Sequence, residues 1–72
     1  MDFRAFLGLL DERRVPYRIE RWRDSLGVVV ATPGSRWEVE FMDAGGVEVE
    51  RFTSDGTIRD ETAITELLAD LE

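Results

Sequence analysis

The stretch Leu26-Gly27-Val28-Val29-Val30-Ala31-Thr32-Pro33-Gly34-Ser35-Arg36-Trp37-Glu38-Val39-Glu40-Phe41-Met42 decides the fold. Its first half is rich in valine. Its second half alternates Trp37, Val39 and Phe41 with Glu38, Glu40 and Met42, the period of two that marks a half-buried strand. Between them Thr32-Pro33-Gly34-Ser35 sets Pro second and Gly third, the preference of a type II turn. A tight turn there pairs Val30 with Trp37, Val28 with Val39 and Leu26 with Phe41. Three apolar pairs then share one face, which supports the register.

The pattern extends outward on both sides. Residues Tyr17 to Trp22 alternate more weakly, and a two-residue turn at Arg23-Asp24 pairs Ile19 with Val28 and Tyr17 with Val30. Residues Val47 to Thr53 open as Val47 and Val49 against Glu48 and Glu50. A three-residue loop Ala44-Gly45-Gly46, with Gly46 left-handed, keeps Val47 and Val49 on the same inner face. Agreement among three hairpins on one inner face supports the assignment.

Helical patterns flank the strands. Residues 2–14 place Phe3, Phe6, Leu7 and Leu10 on one stripe, with Asp2 as N-cap and Arg13 and Arg14 at the negative end. Pro16 stops this helix. A last helix runs from Glu61 to Leu71 behind an Asp60 N-cap, with Ile64, Leu67, Leu68 and Leu71 at helical spacing. The predicted architecture is a single α+β domain over residues 1–72, in the order α-β-β-β-β-α. It is a four-stranded antiparallel meander with both helices packed on one face.

Composition narrows the function classes. The chain has 72 residues, with nine cationic and sixteen acidic side chains and a formal charge of -7. Every cation is arginine, and Lys, His and Cys are absent. Their absence removes disulfides, thiolate metal sites, imidazole bases, Schiff bases and the P-loop. The acidic balance argues against nucleic acid as a partner. Phe6 to Leu10 is too short for the core of a signal peptide, and no stretch approaches the ~18 apolar residues of a membrane span. The expected location is the cytoplasm, and the exclusive use of arginine points to a GC-rich bacterial genome. Residues 1–36 carry seven arginines and five acids, whereas residues 37–72 carry two arginines and eleven acids.

The register also defines an outer face. It carries Glu20 and Trp22 on the first strand and Gly27 on the second. The third adds Glu38, Glu40 and Met42, and the fourth Glu48 and Glu50. Glu40 faces Glu48 or Glu50, depending on the last turn, and Gly27 leaves bare backbone between Glu20 and Glu40. Like charges opposed on a sheet cost some tenths of a kcal/mol. The plain reading is a solvated face that discourages aggregation. The functional reading is a surface that docks a basic protein, with Trp22 and Met42 as apolar anchors and Phe52 at the rim. No Asp/Gly loop has calcium-site spacing, and the serines lie in turns with no histidine to activate them. No metal, cofactor or catalytic residue is therefore expected.

The segments Trp37-Glu38-Val39-Glu40-Phe41 and Val47-Glu48-Val49-Glu50-Arg51-Phe52-Thr53-Ser54-Asp55-Gly56 resemble a pattern of small uncharacterised acidic bacterial proteins. Those proteins have similar length and end in a short Leu-rich helix. In size and charge the chain also resembles immunity proteins, which neutralise a toxin by covering its basic site with carboxylates. The resemblance implies a binding role and no catalytic residues.

The sequence thus leads to a non-enzymatic, protein-binding module that docks a basic partner through Glu20, Glu38, Glu40, Glu48, Glu50, Trp22 and Met42. The alternative is a structural homo-oligomer that associates through an edge strand or an exposed aromatic patch.

Overall fold

The computed structural model describes residues 1–71. Two helices and a four-stranded antiparallel sheet follow one another as α1 (Phe3–Glu12), β1 (Arg18–Arg21), β2 (Ser25–Thr32), β3 (Ser35–Met42), β4 (Val47–Thr53) and α2 (Ala63–Asp70). The strands lie in the order β1-β2-β3-β4, a meander.

Turn chemistry sets the register. Gly34 takes φ 75°, the positive value required at the third position of a type II turn. The β2–β3 pairs are Val30 with Trp37, Val28 with Val39 and Leu26 with Phe41, as expected. Ile19 pairs with Val28. Tyr17 falls just outside β1, yet it still packs against the core. The last hairpin differs in detail. Gly46 carbonyl accepts from the Met42 amide at 3.0 Å, so the loop is Asp43-Ala44-Gly45, one residue earlier than expected. Phe41 therefore pairs with Val47, and Glu40 with Glu48. A one-residue shift of the loop moves each pairing by two residues, so Val47 and Val49 keep their inward side.

α1 is capped at both ends. The Asp2 side chain accepts from the Ala5 amide at 2.8 Å. The helix ends two residues earlier than its pattern suggests, because Arg14 turns left-handed at φ 58°. The amides of Arg14 and Val15 then donate back to the carbonyls of Asp11 and Leu10, at 3.1 and 2.9 Å. This pair of bonds is the Schellman motif, here closed by arginine where glycine is usual.

The core is small. Val28, Val30 and Val39 are buried, and Phe3, Phe6, Leu7, Leu10, Val15, Tyr17, Trp37 and Phe41 pack around them. Phe3 meets Phe41 edge-on, with ring centroids 5.5 Å apart. α1 covers the inner face as expected. α2 does not, and the expectation of two packed helices is corrected on this point. Its Ile64, Leu67, Leu68 and Leu71 are 54–72% exposed, and Val49 beneath the expected helix site is 58% exposed. The reason lies in residues 54–62, which make their own turns. Ser54 and Asp55 accept from the amides of Gly56 and Thr57, and Gly56 has φ 82°. Asp60 accepts from the Thr62 amide and hydroxyl, so it organises the first turn from a position just before the observed Thr62 cap. Among the described residues no helix is long and apolar enough to cross a membrane.

Candidate functional site

The outer face gathers the predicted residues in two groups. In the first, β3 and β4 set Glu38 directly opposite Glu50 and Glu40 directly opposite Glu48. Opposed Cα atoms in such pairs lie about 4.5–5.5 Å apart. The four glutamates line a shallow depression of about 260 Å³. Glu38 receives one partial counter-charge, from Arg36 Nη2 at 3.3 Å. Glu40 accepts only a long bond, 3.4 Å, from the Ser25 hydroxyl. Among the described residues, no ion pair reaches Glu40, Glu48 or Glu50.

The second group is closed upon itself. Glu20 accepts from the Arg18 guanidinium at 2.7 Å and from the Trp22 indole N–H at 2.9 Å. The indole hydrogen bond first, and Arg18 second, hold its carboxyl below the usual carboxylate range. The Trp22 ring lies over Gly27, where an added Cβ would run into its ring carbons. The sequence left Gly27 as bare backbone between Glu20 and Glu40. In the structure the indole fills that space, and Gly27 is buried. A glycine inside a strand often marks such a close approach. Glu20 and Trp22 thus lie across β2 from the β3–β4 carboxylates, with the Glu20 carboxylate and the Trp22 indole N–H already partnered.

Phe52 pairs with Arg36 in a continuous ladder, which keeps it on the face of Glu48 and Glu50. It is 37% exposed, and the Arg36 guanidinium sits 4.5 Å above its ring. Met42 is half-buried at the opposite end of β3, across from Ser25. The rim of the acidic rows therefore has an aromatic end and a thioether end. Trp37 belongs to the other face. Its indole donates to Thr32 Oγ1 at 3.2 Å, and Arg51 covers its ring.

The arrangement can attract cations and accept hydrogen bonds from them. Among the described residues, no group of three or more acids has a geometry able to hold a metal ion. One ion pair braces the end of the sheet near the acidic rows. Arg21 grips Asp43 with both guanidinium nitrogens, and Asp43 N–H donates to Asp24 carbonyl at 2.9 Å. The Arg21 bond holds the Asp43 carboxyl low.

Sequence reasoning missed a second feature, an apolar trough on the inner face beside β4. It follows from the absence of α2 there. Periodicity carried no signal for it, because an amphipathic stripe reads the same whatever covers it. Comparison with protein-family models, curated proteins and solved structures found no match for this chain.

Proposed function

We propose that this chain is a non-catalytic protein-binding module that docks a basic protein surface on its β3–β4 glutamates. The observation that carries this reading is the pair of directly opposed, like-charged rows: Glu38 with Glu50 and Glu40 with Glu48. A sheet gains nothing from this arrangement, since opposed like charges destabilise it. A cationic partner relieves the repulsion on binding and gains most from the carboxylates that have no cation of their own. Met42 and Phe52 at the two ends offer apolar contact around the charge. Glu20 and Trp22 shape and stiffen the neighbouring surface. Charge of this density also speeds encounter with cationic surfaces.

The test compares wild type with a variant in which Glu38, Glu40, Glu48 and Glu50 are all glutamine. Both are used to capture partners at low and high salt, and any captured protein is then purified and titrated directly. The reading expects a basic protein that binds wild type, dissociates in salt and fails to bind the glutamine variant. Equal binding by both baits sinks it.

A further inference from the structure

We infer that α2 docks into the apolar trough of a second copy of this chain, and that the exchange is reciprocal. The trough lies on the face opposite the glutamates. It has a volume of about 660 Å³ and is lined by Leu10, Val15, Trp37, Val39 and Val49, and among the described residues Arg13 is the only ionisable side chain in its lining. α2 carries the matching surface. Ile64, Leu67, Leu68 and Leu71 form one stripe and are all more than half exposed. Eight residues of helix do not hold together in water, where isolated helices shorter than ~12–15 residues are marginal. Something has to cover that stripe.

The exposed area matches the requirement of a dimer. The chain exposes 6042 Å², against about 4,600 Å² for a compact monomer of its mass. Its radius of gyration is 14.9 Å, against about 11 Å for a compact chain of this length. The surplus of about 1,400 Å² per chain exceeds the ~800 Å² that each partner contributes to a standard stable interface.

Charge selects this occupant. Residues 60–70 hold Asp60, Glu61, Glu66 and Asp70 and no cation. Asp70 lies in the last turn of α2 with no basic residue near it in that turn, an unfavourable end for a helix left alone. Arg13 lines the trough, with Arg14 next to it in the chain, and among the described residues neither takes part in an ion pair. A second copy places its acidic helix against these arginines. The connecting segment favours exchange over closure within one chain. Its turns and the Arg59–Glu66 ion pair at 2.7 Å order the segment that leads into α2, and the α2 stripe stays exposed and off its own sheet. A two-fold axis then satisfies two stripes and two troughs together. Both acidic faces stay free on the outside of the dimer.

The test uses full-length protein. Light scattering across a wide concentration range should give twice the 8.3 kDa chain mass. Replacing Leu67 and Leu68 together by glutamine should return the mass to that of one chain, with the sheet signal in circular dichroism retained. The absence of native cysteine allows a second measurement. Val49→Cys and Leu68→Cys chains, mixed and oxidised, should give a cross-linked heterodimer faster than either chain alone. A wild-type mass of one chain at every concentration overturns the inference. So does a Val49→Cys/Leu68→Cys double variant that closes only within single chains, since the helix then covers its own trough.

Discussion

Gly27 and Trp22 make one structural unit, and the sign of a substitution at Gly27 should depend on Trp22. A Cβ at Gly27 would fall well inside van der Waals contact with the indole ring. The ring cannot slide far, because its N–H is bonded to Glu20 and its backbone amide to Ser25 carbonyl at 3.0 Å. Gly27→Ala therefore overpacks the face and should cost about 1–3 kcal/mol. With Trp22→Ala the obstacle is gone. Alanine then only removes the backbone freedom of a glycine in a strand, and the same substitution should stabilise by about 0.5–1 kcal/mol. The double-mutant cycle should show a coupling of about 1.5–4 kcal/mol, toward or past the upper end for contacting residues. Urea unfolding followed by circular dichroism reads all four proteins. With a slope of about 1 kcal/mol per molar urea, Gly27→Ala lowers the midpoint by roughly 1–3 M in the presence of Trp22 and raises it in its absence. An equal loss in both backgrounds would refute the stacking argument.

Neutralising one opposed pair by Glu40→Gln and Glu48→Gln should stabilise the sheet. Two charges about 6 Å apart repel by roughly 0.7 kcal/mol at the dielectric of water, and salt at 0.15 M screens about half of this; thermal melts at low and moderate salt should show a gain that shrinks as salt is added. Arg14→Gly should stabilise by about 1 kcal/mol, since glycine takes the left-handed φ of 58° without a Cβ penalty, and chemical denaturation checks it. Acidification should weaken the fold through Glu20 and Asp43, whose folded carboxyls titrate below their ordinary values of 4.5 and 3.8. Groups held low contribute stability above the unfolded pKa and lose it as pH falls through the folded one. Melting temperature should therefore drop below about pH 4.5, with a shallower drop in Glu20→Gln, which keeps an acceptor for Trp22 but no titrating charge.

The acidic site was legible in part. Glu38, Glu40, Glu48 and Glu50 share a face because alternation fixes it, and either loop position at Asp43 to Gly46 keeps that parity. Which glutamates oppose each other depended on where the loop closes, and two glycines with positive φ, Gly45 and Gly46, allowed more than one closure. Alternation puts Trp22 on the outer side, either as an apolar anchor or folded back over the strand end, and in the structure its indole lies over Gly27. Strand periodicity assigns a side of the sheet and is silent on whether a rim residue folds back along it. Gly27 held the signal, as a position that admits only a close neighbour.

The sequence by itself determined the element order, the four-stranded meander and its inner and outer faces. These rest on short-range physics: Pro33-Gly34 sets a turn, a period of two sets a side, and Asp2 starts a helix within three residues. Only the tertiary structure decided where α2 goes. Its stripe of Ile64, Leu67, Leu68 and Leu71 says that apolar surface must be covered. The covering surface is chosen by residues 54–62, whose turn hydrogen bonds carry the helix off its own sheet. Hydrophobic burial has no direction of its own, so one stripe serves its own trough or another chain's equally well until the connecting backbone makes the choice.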